Sequence, residues 1–303
     1  MTSRPPNRVV GYLCALGATA IWSGNFIIAR GLNESIPPVS LAFWRWVVAI
    51  LVFLPFAIKP LIAEWDVLKK HFPYLAITSF LGVTVFNTLV YLAGQTTTAI
   101  NLSLISITFP IFIVILLRIF YGERFTFNKI GGILLVVAGV VLLITKGEPT
   151  RLLHLSFAIG DIWMLVAAFV FAVYSILLKR KPKELSVRAF QLSSFLLGLL
   201  FLFPFYLWEV YVTPPVQFET RTVLAIVYIG VFAALTAFLL WNRAILTVGP
   251  AKAAMIYYTL PLFSGVLAYA FLGEVISSVH FLSVLLIVSG IVVANREPKK
   301  KKV

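Results

Sequence analysis

Charge is scarce in this chain. Only 12% of its 303 residues are Asp, Glu, Lys or Arg, while 61% are hydrophobic, and the mean hydropathy is +1.00. A soluble chain carries roughly 25% charged residues, and the polar groups here are too few to cover a water-exposed particle. That excludes a soluble enzyme, a disordered tail protein and a nucleic-acid-binding domain. Cysteine is almost missing: Cys14 alone permits neither an intramolecular disulfide nor a thiolate cluster, and it reads as a small buried filler. His71, His154 and His280 lack metal-ligand spacing, so neither a metal nor a cofactor is expected. No phosphate-binding glycine loop occurs, which removes ATP as a driver. No Asp or Glu falls in the middle third of an apolar run, so an obvious proton-carrying carboxylate is also missing.

What the chain does have is long apolar runs. A bilayer core about 30 Å thick needs roughly 20 apolar residues per helix. Ten stretches qualify: 9–30, 39–58, 73–94, 99–121, 128–146, 159–179, 188–208, 222–243, 250–273 and 279–295. The first is longer than the ~7–15 residues of a signal-peptide core and is expected to stay as a membrane helix. Continuous rather than alternating apolarity excludes a β-barrel. The expected class is an all-α integral membrane protein. Lys and Arg set its orientation. With both termini cytoplasmic, the outer connections hold only Arg30, Lys146, Arg151 and Arg221, while the inner ones carry clusters such as Lys179–Lys183 and the basic tail of residues 298–303. That tail is expected to face anionic lipid rather than nucleic acid, and the expected location is the plasma (inner) membrane.

The chain repeats itself. Pro110 and Pro261 are 151 residues apart, as are Gly122-Glu123 and Gly273-Glu274, and Gly139 and Gly290. The run ITFPIFIVILLRIFYGE (107–123) aligns with YTLPLFSGVLAYAFLGE (258–274). Phe43 and Phe190, Pro55 and Pro204, and Leu75 and Leu224 fall at neighbouring offsets. The expected units are 9–147 and 159–297. Each holds five spans, an odd number, so the second enters the membrane from the opposite side. Inverted repeats are a recurrent plan of secondary transporters, with the substrate near mid-membrane at the repeat interface.

Three motifs carry a resemblance: Trp22-Ser-Gly-Asn25-Phe-Ile-Ile-Ala-Arg30, Phe43-Trp-Arg45, and a mid-helix Pro followed twelve to thirteen residues later by Gly-Glu. Together with the five-plus-five plan they resemble the EamA-type branch of the drug/metabolite transporter superfamily, over residues 9–297. The resemblance implies ten transmembrane helices in two inverted five-helix repeats around a central cavity, and export of small metabolites such as amino acids.

The candidate cavity is built around the two prolines. Interior proline removes a backbone hydrogen bond and kinks a helix, here freeing the carbonyls of Ser106 and Tyr257. Exposed backbone at membrane depth is tolerated where it lines a cavity or is buried in protein. Pro110 and Pro261 are therefore hinges or carbonyl sites, or else static kinks. Helical spacing puts Ser103 and Ser106 with Pro110, sets Tyr257 and Tyr258 beside Pro261, and aligns Thr84, Asn87 and Tyr91 on one face; Trp22 and Asn25 sit near the middle of span one. Hydroxyls, amides and aromatic faces suit a neutral or zwitterionic solute with an apolar side chain. The competing reading for the hydroxyls is plain helix packing.

Arg45 is the basic residue well inside a span, costing ~2.5–3.5 kcal/mol on insertion scales. It either anchors a substrate carboxylate or phosphate, or serves as a structural donor to helix-end carbonyls or snorkels outward; the structural role is favoured. Glu123, Glu274 and Asp161 read as turn and helix-start residues, with Thr126 and Ser278 as N-caps. The reading is a carrier working by alternating access, with spans one to four and six to nine enclosing the cavity. Its cargo would be amino acids, aromatic or bulky apolar ones favoured. Spans five and ten are peripheral supports or the face of a homodimer. The alternatives are a flippase for lipids or lipid-linked sugars, or an exporter of cationic, drug-like solutes. An intramembrane enzyme would need a nucleophile–base pair or paired carboxylates at depth, and neither is found.

Overall fold

The structure is a computed structural model. It describes residues 8–32, 35–97, 99–123, 126–145, 147–148, 150, 158–214, 216, 218–272 and 278–295, apart from a few side chains within the helices. Among these residues all regular structure is helical. The helices are α1 (Arg8–Gly31), α2 (Pro38–Ala63), the short α3 (Trp65–Lys70), α4 (Phe72–Thr96), α5 (Ala99–Ser106), α6 (Thr108–Tyr121) and α7 (Phe127–Ile144). The second half has α8 (Ile159–Leu178), α9 (Val187–Val212), α10 (Thr220–Val248), α11 (Pro250–Tyr257), α12 (Leu260–Leu272) and α13 (Ser278–Asn295). By length and composition five of them, α2, α4, α8, α9 and α10, can each cross a membrane. Exposed Leu134, Leu200, Trp208, Phe281 and Leu285 give the bundle an apolar outside, which fits hydrocarbon rather than water.

Helices of one half pack on helices of the other. The pairs are α1 with α10, α4 with α8, α2 with α9 and α7 with α13. Exchanging the halves turns the first pair into the second and leaves the other two unchanged, so the packing has a pseudo-two-fold plan. The α2–α9 pair is antiparallel, as its two ends show. Glu209, near the end of α9, accepts the N–H groups of Val39 (3.0 Å) and Ser40 (2.6 Å) at the start of α2. Glu64, just past the end of α2, accepts the N–H of Ser186 (2.7 Å), the residue that caps α9. Each equivalent helix thus caps the other, satisfying N–H groups that a helix start leaves orphaned.

The α7–α13 pair meets through glycine. A Cβ on Gly132 would lie 2.5 Å from the Ala294 nitrogen and 2.6 Å from the Gly290 oxygen, and one on Gly290 would lie 2.6 Å from the Gly132 oxygen. Backbones come this close only without side chains. The small residues of these helices therefore serve contact within the chain.

The two prolines do not kink continuous helices as the sequence led one to expect. The chain breaks before each of them, at Ile107 (ψ −10°) and at Tyr258 (ψ −12°), positions 151 residues apart. Pro110 and Pro261 then lie in the first turn of α6 and of α12, where a missing N–H costs nothing. At both breaks a threonine hydroxyl closes the gap: Thr108 donates to the Ile105 carbonyl and Thr259 to that of Ile256, each at 2.7 Å. These carbonyls are one residue earlier than those expected to be freed.

A second matched pair of irregularities carried no signal in the apolar runs. α4 widens to a π-helical segment at Phe80–Val85, and α10 does so at Ile229–Thr236. Each contains a glycine, Gly82 against the Tyr174 ring and Gly230 against Val48 and the Arg45 carbonyl. The interhelical connections differ as well. Residues 59–72, which lie between the expected spans 39–58 and 73–94, are mostly helical through the extension of α2 and through α3.

Candidate functional site

The bundle centre is aromatic. The Trp22 ring centroid lies 5.4 Å from Phe171, 5.4 Å from Trp241, 5.8 Å from Phe238 and 6.3 Å from Tyr257. Phe109 closes the group at 5.0 Å from both Phe171 and Tyr257. The indole N–H of Trp22 donates to the Ala233 carbonyl (3.0 Å) in the π-helical segment of α10, and that of Trp46 to the Val83 carbonyl (3.1 Å) in the segment of α4. Widened turns leave carbonyls poorly used within the helix, and two tryptophans take them up at the centre of the molecule.

Tyr257 ends α11 and Ser106 ends α5, and their side chains are neighbours. They are the same position in the two repeats, 151 residues apart. A residue touches its own symmetry mate only close to the axis that relates them. The helix breaks therefore meet on the pseudo-two-fold axis, beside the aromatic group.

Polar chains flank this centre on either side. On one, Arg45 of α2 donates through Nη1 to the Tyr91 hydroxyl of α4, which donates in turn to Asn25 Oδ1 of α1 (3.1 Å). On the other, the Tyr174 hydroxyl of α8 donates to Asn242 Oδ1 of α10 (2.9 Å), and Asn242 Nδ2 donates to Gln191 Oε1 of α9. Each chain takes one residue from equivalent helices, with the α4 or α10 residue in the middle. Aromatic contacts link them: Arg45 lies over the Trp46 ring (5.1 Å), Trp46 meets Phe238 (5.3 Å), and Phe171 stacks on Tyr174 (5.7 Å).

Arg45 is 0% exposed and has no ion pair among the described residues. It neither snorkels nor reaches a helix-end carbonyl, as had been expected; its Cζ lies 5.1 Å from the Trp46 ring centre and 5.5 Å from that of Tyr91. Nε and Nη2 have no hydrogen-bond partner among the described residues. A buried charge without a counter-ion costs on the order of several kcal/mol, which cation–π contacts offset only in part.

Other expected residues are placed differently. Thr84 lies inside the π-helical segment, out of the regular register, whereas Asn87 and Tyr91 follow it in α-helix, four residues apart on one face. Thr84 donates to the Gly198 carbonyl of α9 (2.8 Å), and the Asn87 amide to the Gly82 carbonyl (3.1 Å). Tyr258 packs in a separate apolar cluster with Val136, Met255 and Ile287, away from the aromatic group. The Ser103 side chain and Glu274 lie outside the described residues. Glu123 follows Gly122, whose φ of +64° ends α6, and pairs with Lys129 (3.3 Å) and Lys179 (3.7 Å). These groups line a cavity of about 360 Å³ with Lys252, at the bundle end where α6 meets α7. Thr126 caps α7, accepting the Lys129 N–H (3.2 Å). Asp161 does more than start α8, since it also accepts bonds from Thr97 and Asn101 (3.1 Å).

Gln191, Asn242 and Tyr174 went unrecognised in the sequence, as did Glu209. The repeat itself held a signal for two of them. Asn25 shifted by 149 residues gives Tyr174, and Tyr91 shifted by 151 gives Asn242.

Comparison with known proteins agrees with this two-part plan. The profile of the EamA-like transporter family matches twice, at residues 9–145 and 158–296. A protein of Archaeoglobus fulgidus named an uncharacterized transporter is 30% identical over 263 residues, 84% of this chain and 86% of its own. A Streptantibioticus cattleyicolor protein named a probable terminal-alkyne amino-acid exporter is 25% identical over 231 residues, 75% of this chain and 74% of its own. A crystal structure at 20% identity superposes with a TM-score of 0.75, covering 95% of this chain and 97% of that one, and so shares the fold.

Proposed function

Since the chain belongs to the EamA-like transporter family and is an integral membrane protein, we propose that it is a ten-span secondary carrier exporting or exchanging small metabolites. Amino acids with aromatic or bulky apolar side chains are the favoured cargo. The two five-span repeats, 9–147 and 159–297, are inverted about a central cavity, in the plasma (inner) membrane with both termini cytoplasmic. The antiparallel α2–α9 pair supports the inversion, because those helices are equivalents.

One observation carries the mechanism. Two broken helices meet at Ser106 and Tyr257 on the pseudo-axis, beside Trp22, Phe109, Phe171 and Trp241. Broken helices at a repeat interface are where secondary carriers bind solute. Alternating access opens this aromatic centre first toward one polar chain and then toward the other. The S. cattleyicolor relative, named for an amino-acid substrate, supports the cargo class. Counterflow in proteoliposomes tests it. Unlabelled amino acids are preloaded singly and entry of labelled tryptophan or phenylalanine is followed. Trans-stimulated uptake without a proton gradient is the expected result. Silence with every amino acid overturns the cargo class and moves lipid-linked and cationic solutes forward.

A further inference from the structure

Resting on the carrier reading above, we propose that one edge of the Arg45 guanidinium recognises the carboxylate of the cargo. A guanidinium offers its N–H groups along fixed edges. The edge formed by Nε and Nη2 points two N–H bonds in parallel, at the spacing of the two oxygens of a carboxylate. Among the described residues these two nitrogens have no partner, while Nη1, off that edge, is held by Tyr91. Tyr91 is fixed in turn by Asn25, so the edge has a set orientation. The guanidinium Cζ lies 5.1 Å from the centre of the Trp46 ring, a cation–π contact that uses none of the N–H donors.

Among the described residues the buried acids are committed elsewhere. Glu209 caps α2, and Asp161 holds Thr97, Asn101 and the Ala158 N–H. Trp46 stands between the guanidinium and Phe238, which contacts Trp22. A carboxylate on Arg45 is therefore one indole away from the aromatic centre, the geometry of an amino acid whose carboxylate and side chain are read together. The second polar chain ends, on the equivalent helix α9, in the neutral Gln191, so the two ends of the cargo site differ in charge. Reaching Arg45 requires α1, α2 and α4 to part, because the guanidinium is fully enclosed.

The test is a ladder of competitors on the full chain. Tryptophan, indole-3-propionate, tryptophanamide, tryptamine and inorganic phosphate are compared in two readouts: inhibition of labelled-tryptophan counterflow, and thermal shift of the detergent-purified protein. Both carboxylates should act at concentrations at least about tenfold lower than the amide and the amine, and phosphate should not act. In Arg45→Gln that ratio should fall to about one, with Arg45→Lys between. Tyr91→Phe, acting through Arg45, should raise the KM for tryptophan while leaving that for tryptophanamide unchanged. Amide and acid acting equally on the wild type overturn the proposal, as does discrimination that survives in Arg45→Gln. Phosphate acting as well as carboxylate overturns the assigned chemistry. If Arg45→Gln does not fold, the wild-type ladder decides. A thermal-shift split between acid and amide without counterflow keeps the carboxylate site and overturns amino-acid exchange. Counterflow without any split does the reverse.

Discussion

Asn25–Tyr91–Arg45 and Tyr174–Asn242–Gln191 are built on equivalent helices, with the matching helices α4 and α10 supplying the middle residues. Both lean on the same aromatic centre. They differ in charge and in what each group can afford to lose. The first ends in a guanidinium with two unpartnered nitrogens, the second in a neutral amide with one, Nε2. Duplication explains the shared scaffold, and the difference shows where the halves have separate work. Shape is held in common, while charge is placed on one side only.

The largest expected effect comes from the middle residues. Tyr91→Phe strips Arg45 of its hydrogen bond, and losing a bond to a buried charge should cost about 3 kcal/mol. Tyr174→Phe breaks one neutral bond and should cost about 1 kcal/mol. Denaturant or thermal unfolding in detergent, followed on both variants, measures the gap; equal losses would erase the asymmetry. Arg45→Met removes the charge while Tyr91 keeps Asn25, and is expected to leave stability unchanged or raise it by about 1 kcal/mol. A large loss there would make Arg45 a structural residue.

Where the halves match closely, glycine is the sensitive point. Gly132→Ala would force α7 from α13 and should cost about 2 kcal/mol. Its neighbour is the control: a Cβ on Gly131 meets nothing within 4 Å. Gly131→Ala should therefore gain up to about 1 kcal/mol from helix propensity. Both variants are read by the same unfolding assay, and similar values for the two would mean that α7 and α13 do not meet as described.

These contrasts mark how far the sequence was legible. Apolar runs located every long helix, because hydrocarbon demands about 20 such residues, and Pro110 and Pro261 marked both breaks. The π-helical segments were not legible. A single extra residue in a turn leaves composition unchanged, yet it took Thr84 out of the register that Asn87 and Tyr91 keep. Gln191 and Asn242 were passed over because each is near the end of its apolar run, where an amide reads as interfacial. Glu209 fell one residue outside the expected span 188–208, although α9 carries it inside as a buried cap.

The two caps give the next, smaller contrast. Glu209 is 5% exposed and accepts two N–H groups, whereas Glu64 is half-buried and accepts one. Glu209→Gln should cost about 1–2 kcal/mol and Glu64→Gln less than about 1 kcal/mol, as caps of helix N-termini do. Unfolding of the two variants at neutral pH reads the difference. The reverse order would place the stronger clamp at the other end of the α2–α9 pair.

The smallest effect is a pH dependence in the α8–α9 connection. Lys181 donates to the carbonyls of Pro182 (2.9 Å) and Leu185, and burial holds its pKa below the usual lysine value, against a raising contribution from Glu64. Burial disfavours the charged form, so the folded chain binds this proton less tightly than the unfolded one. The sign follows from linkage: where the unfolded state holds more protons, stability rises with pH. The increase should begin as pH passes the lowered folded value and level off above the ordinary lysine range. Half-exposure keeps it slight. Unfolding midpoints across alkaline pH, compared between the wild type and Lys181→Met, isolate the contribution: the wild-type curve should rise more steeply than the variant's. Identical slopes would mean that Lys181 holds its proton equally well in the folded and unfolded chain, the attraction of Glu64 cancelling the effect of burial.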